Sequence, residues 1–261
     1  MQLGKDITAV VTGGASGLGG ATAEALAAKG VKVAIFDLNE ALGTQHASKI
    51  GGRFYRCDVS QEASIDTAFA AMREDLGPER ILVNCAGIAI AKRIPRKDKE
   101  TGKIEPHDLA SFAKVVQINL IGTFLMISRA AAGMQTLAPV TADGERGVII
   151  NTASVAATDG QIGQVAYAAS KGGVLGMTLP IARDLAQVGI RVNTIMPGLF
   201  HTPMFDTLPD DAKRALAASV PFPSRLGNPT EYASLACHIC ENGMLNGEGI
   251  RLDGAIRLPP R

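Results

Sequence analysis

The stretch YAASK, residues 167–171, sets a phenol and an ammonium four residues apart in a chain with only 3 tyrosines. On a helix that spacing places Tyr167 and Lys171 on one face. A free phenol titrates near ~10 and is a poor base at neutral pH, whereas a lysine ammonium beside it favours the phenolate. Tyr167 could then exchange a proton with a hydroxyl or carbonyl oxygen. Taken alone, the pair also fits an ordinary exposed helix face.

A second group of residues could hold phosphate. TGGASGLGG, residues 12–20, follows a β-branched run and leads into an alanine-rich one. A glycine-rich turn lets backbone amides approach a pyrophosphate, and the next helix N-terminus adds partial positive charge. The spacing of Gly13, Gly17 and Gly19 is not a strict GxGxxG, and a tight structural turn is the other reading. The following run, VKVAIFD, ends on Asp37, eighteen residues after Gly19. A carboxylate there can accept hydrogen bonds from both ribose hydroxyls and would repel a 2′-phosphate, which favours NAD over NADP. The turn carries no arginine or lysine, and Leu38 and Asn39 follow Asp37. A solvated aspartate capping the next helix is the alternative.

These groups need a frame. Short β-branched runs, ITAVVT, VKVAIFD, RFYRC, ILVNC, GVIINTAS, IRVNTIM and EGIRLD, alternate with segments such as EASIDTAFAAMREDLG, whose apolar positions recur at three and four residues. The pattern predicts an α/β fold with a doubly wound parallel sheet and helices on both faces. The strands are continuously apolar, as expected when both faces are buried. A single domain over residues 1–261 fits the length, and 46% hydrophobic against 20% charged residues supplies its core. Residues 91–107, AKRIPRKDKETGKIEPH, and 138–147, APVTADGERG, break the alternation and read as surface insertions.

Other classes find little support. A formal net charge of +1 gives no field that would gather nucleic acid. The start MQLGKDITAVV runs almost directly into a strand, and no apolar segment approaches the length of a membrane span, so a soluble, cytoplasmic protein is expected. Cys57, Cys85, Cys237 and Cys240 are too scattered for a disulfide framework, and Cys237 and Cys240 form a CxxC without a second pair. They read as buried helix cysteines. The four histidines are dispersed, and no metal is expected.

TGGASGLG, NCAG at 84–87, Asn119, Ser154, YAASK and PG at 197–198 stand in the order found in the short-chain dehydrogenase/reductase family, which the chain resembles over essentially its whole length. The resemblance implies a seven-stranded doubly wound sheet and, commonly, a homotetramer. It gives Ser154 and Tyr167 the substrate oxygen, Asn119 a water joining Lys171 to solvent, and Lys171 the nicotinamide ribose as well. Ala166, Ala168, Ala169, Gly172 and Gly173 would leave room for the cofactor on one side and a helix on the other. Ser16 and Leu18 would line the pyrophosphate turn with Gly13, Gly17 and Gly19. Asp58 and Val59 would flank adenine, and Cys85, Ala86 and Gly87 would lie under the adenosine side. Pro197, Phe200 and Thr202 belong to the segment PGLFHT, which would cover nicotinamide. Cys85 departs from the asparagine that many members carry there.

Narrower phrases, GVIINTASVAA, GMTLPIARDLA, VPFPSRLG and GEGIRLDGAIR, resemble the type II 3-hydroxyacyl-CoA dehydrogenase branch of that family. This implies NAD-dependent interconversion of 3-hydroxyacyl-CoA and 3-oxoacyl-CoA, a part in fatty acid metabolism. Pro180 would interrupt the long helix, opposite Gly176. Residues 199–222, with Met204, Phe205, Leu208, Leu216 and Val220, would form an apolar lid. The basic residues of 91–107 could attract the phosphates of coenzyme A, or simply face water. Three alternatives stay open: a hydroxysteroid dehydrogenase, an NADPH-dependent 3-oxoacyl carrier-protein reductase, and a catalytically silent dinucleotide-binding scaffold.

Overall fold

The computed structural model describes residues 1–203 and 210–260. All seven apolar runs become strands of one parallel sheet: β1 (Thr8–Thr12), β2 (Lys32–Asp37), β3 (Arg53–Arg56), β4 (Ile81–Asn84), β7 (Gly147–Thr152), β8 (Ile190–Pro197) and β9 (Gly249–Leu252). Their spatial order is β3-β2-β1-β4-β7-β8-β9. Strands β1, β4, β7 and β8 are buried along their whole length, while the edge strands β3 and β9 are partly open. Burial on both faces is why the inner strands show no polar alternation.

The chain winds outward from β1 to β3, then returns to place β4 on the other side of β1. The order reverses between β1 and β4, and a crevice opens there beyond the carboxyl ends of the strands. On one face lie α1 (Gly17–Ala28), α2 (Glu40–Ile50) and α8 (Pro229–Glu241), contributing Leu26, Ala47 and Tyr232 to a core with Val11, Ile35 and Val83. On the other, Phe69 of α3 (Glu62–Leu76), Met126 of α5 (Gly122–Gln135) and Ala182 of α6 (Val165–Ala186) pack on Val10, Phe36, Leu82 and Ile149. Each such large side chain contributes roughly 1.5–3 kcal/mol on burial. Local signals set the ends: the Asn39 side chain accepts from Leu42 N at 3.1 Å, and Gly51, at φ 69°, closes α2.

Several sequence expectations need correction. Helix α4 (Leu109–Val116) continues through a π-helical turn, Gln117–Ile121, into α5, so residues Leu109–Gln135 form one helical run long and apolar enough to cross a membrane. Periodicity hid it, because its length comes from joining three segments. Here Val115, Asn119, Met126, Ala130 and Met134 are buried against the rest of the fold. Helix α6 is not interrupted by Pro180; it runs unbroken for 22 residues, and a Cβ at Gly176 would meet open space, so the ring has room.

The first insertion carries a small antiparallel hairpin, β5 (Arg96–Lys97) with β6 (Ile104–Glu105). Asp98 Oδ1 ties its turn by accepting from Glu100 N and Thr101 N at 3.1 and 2.8 Å. The second insertion is not wholly superficial. Glu145 is buried and paired with Arg191 at 2.8 Å and with the Met1 ammonium at 2.8 Å. A buried carboxylate needs such partners, and they come from distant parts of the chain. Helix α7 (Asp210–Ala218) follows the crevice; Met204, Phe205 and Leu208 lie outside the described residues. Cys237 and Cys240 sit in the core of α8, where burial pushes both thiols up.

Candidate active site

The crevice at the β1–β4 switch has a volume of about 400 Å³ and brings together nearly all the residues singled out in the sequence. Gly13, Ser16, Gly17, Leu18 and Gly19 form one wall, with Asp37, Asp58 and Val59 beyond. Cys85, Ala86 and Gly87 form the floor. Ser154, Tyr167 and Lys171 stand at the far end, with Pro197, Phe200 and Thr202 above.

Strand β1 delivers the glycine turn, and its geometry demands glycine. Gly17 lies at φ +56°, and a Cβ on Gly19 would stand 2.3 Å from Gly13 O. Ser16 caps α1 in an extended conformation without a side-chain hydrogen bond, which leaves the first-turn amides facing the crevice. An open turn and uncapped donors are what a pyrophosphate needs, so the residues present fit a dinucleotide. Asp37, ending β2, accepts from Ala15 N at 3.1 Å through Oδ2 and from Asn39 N at 3.0 Å through Oδ1. Its carboxylate is thus fixed beside the turn and is more than a helix cap. Asp58 is held by Ser60, whose amide and hydroxyl donate to Oδ1 at 2.9 and 2.7 Å.

At the floor, Thr12 Oγ1 accepts from both Cys85 N and Ala86 N at 3.1 Å. Gly87 stands close to the catalytic end: a Cβ there would lie 3.1 Å from Asn119 Oδ1 and 3.6 Å from Lys171 Nζ. Asn119, in the π-helical turn, is fully buried and does not line the crevice. Its amide instead grips the next residue, accepting from Ile88 N at 2.8 Å and donating to Ile88 O at 2.8 Å. It also donates to Ser170 Oγ at 3.1 Å, joining α6 to the floor. Thr12 and Ile88 were not identified from sequence. Thr12, ending a strand just before the glycine turn, carried a signal; Ile88 acts through its backbone and carried none.

Ser154 follows β7 and Tyr167 sits in the first turn of α6, which the loop between them turns back across the crevice. The Ser154 hydroxyl accepts from Ala156 N at 3.1 Å, and it lines the crevice together with the Tyr167 phenol. Burial pushes that phenol up, and the Ser154 contact draws it partly back down. Lys171 is buried, its ammonium donates to Thr152 O at 2.6 Å, and it lies 5.8 Å from the Tyr167 ring centroid. Burial lowers its pKa to about 8. The ammonium is turned to the Thr152 carbonyl, and burial is the first cause of the phenol's shift. Above the crevice, Phe200 packs under Gly227, and Thr202 comes within 3.7 Å of where a Cβ on Gly17 would stand.

The arrangement joins a dinucleotide cradle to two hydroxyls and an ammonium that can manage a proton. Comparison with known proteins agrees with it. The family model described as short chain dehydrogenase matches residues 7–213. The chain is 53% identical to 3-hydroxyacyl-CoA dehydrogenase type-2 of Bos taurus and 49% identical to that of Drosophila melanogaster, covering 98% of this chain and 97% and 99% of theirs. The crystal structure of 3-hydroxyacyl-CoA dehydrogenase type-2 from Mycobacterium avium superposes with a TM-score of 0.91 at 41% identity, covering 98% of each chain. The chain belongs to the short-chain dehydrogenase family, and with it to the oxidoreductases that act on small molecules with a nicotinamide dinucleotide.

Proposed function

We propose that this chain is an NAD-dependent 3-hydroxyacyl-CoA dehydrogenase, interconverting 3-hydroxyacyl-CoA and 3-oxoacyl-CoA. The observation that carries the reading is the gathering of Ser154, Tyr167 and buried Lys171 at one end of a dinucleotide cradle. The substrate class rests on the likeness to proteins of that name.

A nicotinamide dinucleotide held by this cradle would accept or supply the hydride at the substrate's C3. The Ser154 hydroxyl holds the C3 oxygen, and the Tyr167 phenol gives it a proton in reduction and takes one in oxidation. Lys171 supplies positive charge at that end of the crevice, and Asn119 fixes the floor through Ile88 and Ser170. The Asp37 carboxylate supports NAD over NADP, since it would stand against a 2′-phosphate. Gly13, Gly17 and Gly19 would receive the pyrophosphate with Ser16 and Leu18, Asp58 and Val59 the adenine, and Pro197, Phe200 and Thr202 the nicotinamide end.

Residues 199–222 act as the lid and the basic hairpin of 91–107 as an outer contact for coenzyme A, both within one domain. A cytoplasmic homotetramer serving fatty acid metabolism, without nucleic-acid or membrane partners, completes the reading.

The test is NADH consumption with acetoacetyl-CoA, beside NADPH and beside a steroid ketone. Rapid loss of NADH with the thioester is expected. Faster turnover with NADPH would favour a carrier-protein reductase, activity on the steroid alone would move the substrate, and no turnover with any would leave a binding protein.

A further inference from the structure

Tyr232 on α8 is a wholly buried phenol that the proton chemistry above does not use. Phenylalanine would fill nearly the same space, and a buried hydroxyl costs stability unless it is bonded. Its oxygen lies 2.7 Å from Thr152 Oγ1 and 3.7 Å from Cys85 Sγ, and Thr152 Oγ1 is 3.5 Å from the same sulfur. These partners stand at strategic points: Thr152 is the last residue of β7, and Cys85 is the first residue past β4.

Thr152 faces two ways. Its hydroxyl meets Tyr232 from the helix layer on one face of the sheet, and its carbonyl accepts from Lys171 Nζ, at 2.6 Å, on a helix of the opposite layer. The charged or titratable groups facing Lys171 are Cys85 and Tyr167. With neutral partners such as these, the ammonium's position depends on the carbonyl that receives it.

We propose that Tyr232 is a positioning residue for Lys171: by holding the Thr152 hydroxyl it fixes the end of β7 and so aims the Thr152 carbonyl at the ammonium. The proposal rests on the catalytic reading of Lys171. It also accounts for Cys85, whose thiol completes the cluster of three side chains at the floor of the crevice.

The test compares Tyr232→Phe, Thr152→Val and the double variant, all close to isosteric. Three quantities are read: steady-state kinetics with NADH and acetoacetyl-CoA, the NMR titration of the Lys171 ε-methylene, and the thermal midpoint. Each single change is expected to lower kcat roughly three- to tenfold, the size of one neutral hydrogen bond, with KM within about twofold. The double variant should be no worse than the poorer single, because the two hydroxyls form one link. The Lys171 titration should move downward, since a loosened carbonyl stabilises the ammonium less.

An unchanged kcat and an unchanged Lys171 titration would overturn the proposal, whatever happens to the thermal midpoint, and so would additive losses. If Tyr232→Phe fails to fold, Thr152→Val breaks the same link from the other end. The Lys171 titration needs no turnover, so a wild-type protein inactive on every substrate would count against the proposed function while this proposal is still decided.

Discussion

The floor of the crevice, taken together with its catalytic end and the buried groups that brace both, is held by different forces from the rim. At the floor, Asn119, Ser170 and Lys171 are 0, 0 and 5% exposed, and each polar group finds a partner in another element. Beyond the residues that line the crevice, on the outer surface that serves as its rim, Ile94, Ile104, Leu109 and Phe222 are 64, 60, 78 and 83% exposed. The ionic side chains there, such as Lys92 with Asp108 and Arg96 with Asp98, pair in the open. Buried polar groups that satisfy one another define a single arrangement, whereas exposed pairs contribute little and exchange with water. The proposed chemistry therefore sits where the fold permits one geometry.

The largest effect should come from the floor. Tyr167→Phe removes the proton-transferring hydroxyl and keeps the ring, so turnover should fall about 10²- to 10⁴-fold. NADH affinity, read by fluorescence titration, should stay within about twofold, since one hydrogen bond at most is lost. A Tyr167→Phe protein that keeps its rate would remove the phenol from the reaction and erase the distinction between floor and rim.

Next comes the glycine turn. Gly19→Ala places a methyl 2.3 Å from Gly13 O, against backbone that cannot move without opening the turn. Overpacking of this kind costs about 1–3 kcal/mol, so roughly tenfold weaker NADH binding and a lower thermal midpoint are expected. Gly243→Ala, where a Cβ meets nothing within 4 Å, is the control and should change neither. Asp37→Ala sharpens the same point electrostatically: the NADPH to NADH ratio of kcat/KM should rise roughly tenfold or more once the carboxylate no longer opposes a phosphate.

The same division explains what the sequence disclosed. Seven apolar runs and a glycine turn starting at Thr12 are short-range features, each set by its own residues, so the sheet and cradle were readable. The Tyr167 and Lys171 pair was readable because helix geometry is local. Groups that act through distant contacts were not. Ile88 works only through its backbone, Glu145 looked like part of a loop until Arg191 met it, and Tyr232 lies 80 residues from Thr152. The direction in which Lys171 points was equally hidden, because it depends on the end of β7 and not on the helix that carries it.

That direction has a consequence for pH. Burial holds Lys171 at about 8, below its ordinary 10.5, so the ammonium is present below pH 8 and is lost as pH rises through it. The Tyr167 phenol, pushed up by burial, stays protonated across the same window. For reduction, kcat/KM for NADH reports the free enzyme and should decline above about pH 8, by up to about tenfold per pH unit if a single proton is responsible. A flat profile to pH 9.5 would mean that the ammonium is dispensable in the free enzyme.

The smallest effect belongs to the rim. Changing Arg93, Arg96 and Lys97 of the basic hairpin together to glutamine removes three exposed charges. Exposed charges act at long range and are screened by salt over about 8 Å at physiological ionic strength. KM for acetoacetyl-CoA should rise roughly two- to fivefold at low salt, the difference should shrink as salt is added, and kcat should not move. If kcat fell instead, the hairpin would be part of the catalytic floor, joined to it through Lys92 N, which donates to Gly163 O at 2.8 Å just before α6. An unchanged KM at low salt would leave the hairpin as a solvated loop and assign the coenzyme A contact elsewhere on the rim.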